Sequence, residues 1–362
     1  MKIFQVISSL GNGGAEKLVV ELSNELAKSN EVSIISIKSI LSSMFHVNNI
    51  SEKVGVYALD KRKGFDLYVL VQLFRILREE RPNIVHIHLN MTLLYFLLIV
   101  PFFKNIKFYY TIHSDIDPHK KLFNRYILLP YFRRIVFICL SPDIKNRFQT
   151  YYSSLKFEAI NSGISPIEES MSLPSVIKEF SLYRKNHNTK VFLFVGRLSY
   201  AKNIPLLIEV FKEIAYKNVS LVIIGKGDLK VEEAIASEQG LDSSMFYVGP
   251  KANVGDYLSQ ADALVLTSRY EGLPIVVLEA LSVGLPIIST PVGCLPSIIG
   301  NRVNGFLSKT GHKKDIIDAI DLFLSLSINE RDKIAINNKT LFEEQFSITI
   351  CSNKHISLYH NN

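Results

Sequence analysis

At 362 residues the chain is long for one hydrophobic core and comfortable for two. Its composition, 48% hydrophobic and 21% charged, is that of an ordinary globular protein and excludes a disordered one. The net charge of +7 and pI near 9.0 point to anionic partners, either phosphorylated ligands or a membrane surface. Nucleic acid is excluded, because the chain has no basic arm, no zinc spacing and no aromatic RNA-binding strand.

In chain order, Val-, Ile-, Phe- and Tyr-rich strands are predicted over 2–8, 31–38, 54–59, 84–88, 107–113 and 134–140, with a weaker one at 156–159. Helical patterns over 15–30, 65–80, 91–103 and 122–133 alternate with them. The first ten residues hold one Lys and no small-residue cleavage site before Gly11, so no secretory signal is expected. The longest nearly unbroken apolar run, 91–103, contains Thr92 and Pro101 and falls short of the ~20 residues a bilayer span needs. Beyond it Lys104, Lys107, Lys120, Lys121, Arg125, Arg133 and Arg134 interleave with Phe102, Phe103, Phe123, Tyr126, Leu128, Leu129, Tyr131 and Phe132. Such a stretch suits an anionic lipid surface and equally a core helix with a solvated basic face.

Around Pro166 and Pro174 the periodicity lapses, and 166–188 is read as a linker between a first domain, 1–165, and a second, 189–346. The alternation then resumes, with strands at 191–196, 220–225, 246–248, 263–267, 286–289 and 305–307 and helices at 204–217, 231–239, 254–260, 274–283 and 314–326. Further helix runs to the end, and 347–362 is amphipathic. Near-continuous apolar strands alternating with helices mean parallel sheets covered on both faces. The fold class is therefore α/β, two doubly wound Rossmann-like domains facing across a cleft. Ligands in such sheets bind beyond the carboxyl ends of the strands. This would gather 8–14, His113, 196–202, 225–227 and 268–271 around one crevice. Cys139, Cys294 and Cys351 have neither disulfide nor metal spacing, which fits a reducing cytoplasm.

Chemistry concentrates at the strand ends. In Arg269-Tyr270-Glu271-Gly272-Leu273-Pro274 a loop enters a helix whose residues are apolar on every side except Glu279 and Ser282. A carboxylate in so apolar a helix needs a partner, and Glu279 could accept from two neighbouring ribose-like hydroxyls. Glu271 lies beside the helix start, where anions usually bind. Gly196-Arg197 closes one strand and Lys202-Asn203 precedes the next helix, so a guanidinium fork and a point charge can converge on one diphosphate. The turns at Gly11–Gly14 and Gly225–Gly227 offer bare backbone to a ligand. Glu16 stands at the third glycine position of the dinucleotide fingerprint, and no acid ends the second strand, which disfavours a nicotinamide enzyme. His86 and His88 share a strand face but lack a third ligand, so a packed or acceptor-side role is expected rather than a metal site. His113, at a strand end, reads as catalytic or as a structural residue.

Together Gly13-Gly14-Ala15-Glu16, Asn161-Ser162-Gly163-Ile164, Gly196-Arg197 with Lys202-Asn203, Gly225-Lys226-Gly227, Glu271-Gly272-Leu273-Pro274 with Glu279-Ala280, and Gly284-Leu285-Pro286 resemble retaining glycosyltransferase family 4, of the bacterial surface-polysaccharide type with the GT-B fold. The resemblance implies transfer of a sugar from a nucleotide-diphosphate donor, commonly a UDP-sugar, to a hydroxyl of a glycan or polyprenyl-diphosphate-linked acceptor, with no cofactor and no metal. It implies Glu271, His113, Arg197 and Lys202 at the reacting centre. Donor contacts would come from Gly14, Gly196, Arg197, Lys202, Gly225, Gly227, Gly249, Gly272, Leu273, Pro274 and Glu279, with Glu279 on the ribose and Gly14 closing from the opposite domain. It also implies a C-terminal helix that returns to the first domain, and a cytoplasmic protein peripheral on the inner face of the plasma membrane. Where relatives often follow the histidine with Asp, this chain has Ser114. A nucleotide-sugar epimerase of the same fold is the alternative, and a non-enzymatic nucleotide-binding module a third reading.

Overall fold

The computed structural model describes residues 1–11, 13–41, 46–113, 123–124, 130–168, 171–227, 232, 235 and 244–361. They form two units. The first comprises Met1–Ser165 and Gln345–Asn362, and the second Pro166–Glu344.

The first unit holds seven strands: β1 Lys2–Ile7, β2 Glu31–Ser36, β3 Val54–Ala58, β4 Ile84–His88, β5 Lys107–Ile112, β6 Ile135–Cys139 and β7 Lys156–Ala159. They lie in the order β3-β2-β1-β4-β5-β6-β7, every pair parallel. Direction of winding reverses between β1 and β4, which opens the crevice of a doubly wound sheet at their carboxyl ends. Helix Gly14–Leu26 buries Leu18, Val19, Leu22 and Leu26, the i, i+4, i+8 stripe of an amphipathic helix. The same core takes Ile348, Cys351 and Tyr359 from helix Ile348–Asn361, so the last helix is part of the first unit.

The second unit has six strands: β8 Lys190–Val195, β9 Val219–Ile224, β10 Met245–Gly249, β11 Ala263–Leu266, β12 Ile287–Ser289 and β13 Gly305–Leu307. Their order is β10-β9-β8-β11-β12-β13, again all parallel, with the reversal between β8 and β11. Helix Ile275–Val283 is apolar all round as expected and buries Val276 to Leu281 against helices Ile328–Leu341 and Val254–Gln260. Gly284 at φ +80° stops it in the left-handed conformation that suits glycine.

Two expectations need correction. The stretch read as a linker contains helix Leu173–Tyr183, with Pro174 in its first turn and Val176, Phe180 and Tyr183 buried at i, i+4 and i+7. It packs on helix Val254–Gln260, and Ser172 Oγ donates to Asp256 at 2.5 Å, so these residues belong to the second unit. The basic and aromatic stretch is not uniformly a lipid-facing surface: among its described rings Phe102 is exposed but others are not. Phe123 and Phe132 are fully buried, and the Arg134 guanidinium donates to the carbonyls of Val100 and Phe103 at 2.7 and 2.8 Å. Lys120, Lys121, Arg125, Tyr126, Leu128 and Leu129 lie outside the described residues, as do most of the predicted helices 122–133 and 231–239. Pro130–Arg134 is a 3-10 turn.

Candidate functional site

In the second unit the loops after β8 and β11 leave neighbouring strands at the winding reversal, so topology alone brings them together. Backbone and side-chain bonds then fasten them. Arg269 N–H donates to the Ala201 carbonyl at 2.8 Å, the Arg269 guanidinium to Asn203 Oδ1 at 2.9 Å, and Thr267 Oγ1 to the Lys202 carbonyl at 3.2 Å. Arg269 also lies 4.6 Å from the centre of the Tyr200 ring, a cation–π contact. Into this frame the 3-10 turn Tyr200–Lys202 delivers Lys202, whose ammonium forms an ion pair with Glu271 Oε1. Ser268 Oγ donates to the same carboxylate oxygen at 2.6 Å. Both members of the pair are largely shielded, with side-chain exposures of 16% and 9%, so the attraction is weakly screened.

The other expected residues take distinct places. Arg197, one residue past Gly196, is exposed and makes no ion pair among the described residues. Glu279 is buried on the helix that Gly272, Leu273 and Pro274 introduce, Pro274 being its N-cap. Lys202 and Glu271 are thus joined directly, while Arg197 stays apart from that pair. Gly225 has a structural reason to be glycine. A Cβ there would stand 1.9 Å from the Gly196 carbonyl oxygen, because the ends of β8 and β9 touch backbone to backbone. Gly227 meets Leu198 in the same way, its own bridge partner. Gly249 ends β10 and accepts from Gly225 N–H at 3.1 Å. Gly293, which the sequence reading passed over, sits at φ +61°, and a Cβ there would meet the Glu271 and Gly272 carbonyls, so the loop after β12 lies against the backbone that carries the acid. Ser268 was placed in the 268–271 loop but given no role; its signal was a hydroxyl three residues before Glu271.

In the first unit Gly13 is the N-cap and Gly14 the first residue of helix Gly14–Leu26; Asn12 lies outside the described residues. His113 directly follows β5, and its Nε2 is 3.0 Å from His88 Nδ1. His86 uses both ring nitrogens, with Tyr359 Oη at 2.8 Å and Thr111 Oγ1 at 2.7 Å, which leaves it none for a metal. Burial drives the pKa of His86 and His88 well below the ordinary histidine value, and neighbouring histidines add to the effect. His355 falls to about 4 for the same leading reason. No group of three His, Cys, Asp or Glu side chains could hold a metal ion among the described residues. Nor is any helix among them long and apolar enough to cross a membrane. Ser114, Asp115 and Asp117 lie outside the described residues.

Comparison with known proteins agrees with this geometry. Residues 12–166 match the model of Glycosyltransferase Family 4 and residues 177–341 that of Glycosyl transferases group 1. The chain belongs to glycosyltransferase family 4 and has the GT-B fold, two parallel-sheet Rossmann-like domains. It is 27% identical to the amylovoran biosynthesis glycosyltransferase AmsD of Erwinia amylovora, over 80% of each chain. It is 23% identical to the UDP-Gal:alpha-D-GlcNAc-diphosphoundecaprenol alpha-1,3-galactosyltransferase of Escherichia coli, over 88% of each. Two further curated relatives, both archaeal, are matched over only 58% and 59% of their length. The crystal structure of HepE from Anabaena in complex with UDP and glucose superposes with a TM-score of 0.82 at 16% identity, over 100% of both chains.

Proposed function

We propose that this protein is a retaining glycosyltransferase that moves a sugar from a UDP-sugar to a hydroxyl of a lipid-linked glycan during surface-polysaccharide synthesis. The observation that carries this reading is the shielded Lys202–Glu271 pair at the winding reversal of the second sheet. Breaking the anomeric C–O bond loads negative charge onto the departing diphosphate. Lys202, fixed in place beforehand, and the exposed Arg197 are suited to stabilise that charge. Glu271, held by Ser268 and Lys202, is suited to fix sugar hydroxyls, and Glu279 to accept from a ribose. Attack from the leaving-group face needs no enzyme nucleophile, the departing phosphate taking the acceptor proton, and none of these steps calls for a metal or cofactor. The amylovoran and galactosyl relatives are named transferases, and nothing supports the isomerase reading. The test is incubation with a panel of UDP-sugars and a polyprenyl-diphosphate-linked acceptor. UDP release coupled to an α-linked product is expected; a sugar epimerised without UDP release would overturn the proposal.

For the acceptor side we propose docking on an anionic lipid surface through the first unit, by a face formed by helix Leu67–Glu80 and the segment 98–102. Helix Leu67–Glu80 exposes Val71, and with Leu98 and Phe102 it lines an apolar groove of about 860 Å³ that also takes in Phe74. Arg75, Arg78 and Arg81 line it with one acid, Glu79, which pairs with Arg75 at 2.7 Å, so the lining keeps the net positive charge that anionic headgroups complement. Val71→Asp combined with Phe102→Asp should abolish co-sedimentation with phosphatidylglycerol vesicles. Equal binding to neutral vesicles, or loss of a solution dimer instead, would remove this assignment.

A further inference from the structure

The loop after β11 grips the turn before helix Ile204–Glu213 at four consecutive residues. Arg269 lies 4.6 Å from the centre of the Tyr200 ring, and its backbone N–H donates to the Ala201 carbonyl at 2.8 Å. Thr267 Oγ1, on a residue with no solvent exposure, faces the Lys202 and Asn203 carbonyls at 3.2 and 3.3 Å. The Arg269 guanidinium completes the grip by donating to Asn203 Oδ1 at 2.9 Å. Within the turn itself, Lys202 N–H reaches the Ser199 carbonyl at 3.0 Å and Asn203 N–H that of Tyr200 at 3.3 Å. Support from the neighbouring loop therefore decides the shape of the turn.

Two features set Arg269 apart from an ordinary surface arginine. It is exposed, yet its guanidinium is aimed at an amide that is only 9% exposed. Asn203 in turn holds the N-cap position of helix Ile204–Glu213, where an Asn side chain ordinarily accepts from the first N–H groups of the helix. Here φ +52° and ψ 49° place it in the left-handed region, which Asn tolerates better than most residues, and its side chain makes no cap bond. The amide oxygen is turned to Arg269 instead. A guanidinium only donates, so Oδ1 is the atom that faces it.

The same short segment also meets the lysine. Thr267 and Arg269 hold the backbone of the turn, while Glu271, steadied by Ser268, pairs with the Lys202 ammonium. We propose that Arg269 is a positioning residue for Lys202: bonded to Asn203 and stacked on Tyr200, it sets the turn so that the ammonium is in place before the donor arrives. This rests on the reading that Lys202 meets the donor diphosphate. A charge fixed in advance does not have to reorganise as the diphosphate departs. An arginine that touched the phosphates would act by its own charge; one that acts through the turn matters only while Lys202 is present.

Calorimetric titration of the full chain with UDP, at a temperature where every variant is folded, separates these cases. Arg269→Met should weaken binding roughly 5- to 10-fold. In a Lys202→Ala background the same substitution should cost less than about twofold, because its effect passes through the ammonium. Asn203→Leu should match Arg269→Met, and the two together should be no worse than either. Asn203→Asp combined with Arg269→Lys, an ion pair in place of the guanidinium–amide bond, should recover most of the affinity. An undiminished loss in the Lys202→Ala background would make Arg269 a direct ligand and overturn the positioning role. Additive losses at 203 and 269, or no recovery in the Asp–Lys combination, would overturn it as well. Wild-type affinity in Lys202→Ala would instead overturn the reading that Lys202 meets the diphosphate, whereas wild-type affinity in Arg269→Met beside a weakened Lys202→Ala would sink the positioning role alone.

Discussion

Arg197 and Lys202 are both cations at the carboxyl end of β8, yet they stand in opposite electrostatic states. Lys202 is shielded and paired with Glu271, whereas Arg197 is exposed without an ion pair among the described residues. Removing the lysine ammonium strands a nearly buried carboxylate that, among the described residues, keeps the Ser268 hydroxyl alone, at a cost of about 3 kcal/mol. Lys202→Ala should therefore lower the unfolding temperature as well as donor affinity. Arg197→Ala should leave the unfolding temperature unchanged and weaken UDP binding by roughly 10- to 100-fold, the worth of about 1.5–3 kcal/mol for a charge-assisted hydrogen bond. Calorimetric titration with UDP alongside thermal unfolding separates the two. Equal thermal losses in both variants would contradict the assigned difference. Lys202 and Glu271 were legible in the sequence because a cation before one helix and an acid before another both belong to strand-end loops. That they bind each other was not legible, since two loops some seventy residues apart meet only through the sheet order.

The same contrast holds for elements. All thirteen strands of the described residues fall where the sequence predicted them, most because strands covered on both faces are apolar throughout; β3, largely exposed, and β7, Lys-Phe-Glu-Ala, are the weaker cases. Helix Pro142–Tyr151 was overlooked although Ser141 caps it, Pro142 fills its first position and Asp143 its first turn. Its buried face is only Ile144 and Phe148, too thin a stripe to register as periodicity. Helix Leu173–Tyr183 was hidden by the prolines and serines around it. The seat of helix Ile348–Asn361 depends on a residue far away. Ile164 N–H donates to the Phe346 carbonyl and the Ile164 carbonyl accepts from Ile348 N–H, while a Cβ on Gly163 would stand 2.6 Å from the Ser347 carbonyl oxygen and from Cys351 Cβ. Gly163→Val should thus lift the last helix, destabilise the protein by about 2–3 kcal/mol and expose Cys351 to a thiol reagent. Gly311→Val, with nothing within 4 Å of the new Cβ, should stay within about 0.5 kcal/mol of wild type by urea unfolding.

At the scale of the whole molecule, histidine burial is divided unequally between the two units. The first encloses His86 and His88 of β4 and His355 of the returning helix, all neutral because burial lowers their pKa. The described histidines of the second unit, His187 and His312, are exposed. A histidine whose folded pKa lies below its ordinary 6.5 binds fewer protons folded than unfolded between those two values. Its stabilising contribution is complete above pH 6.5 and is lost as pH falls, at up to about 1.4 kcal/mol per pH unit for each such group. For His355 that window runs from 6.5 down to about 4. The first unit should therefore lose stability before the second on mild acidification. Native-state hydrogen exchange from pH 7.5 to 5 should show protection falling first in 84–88 and 348–361, after correction for the intrinsic pH dependence of exchange, while β8 to β13 hold. The loss should be cooperative across both segments, because His355 sits on the helix that covers His86, their rings 5.3 Å apart, and protonating either loosens the cover over the other. If β8 to β13 open first, or protection in both units falls together, the acid-labile element is not the histidine layer beneath the last helix.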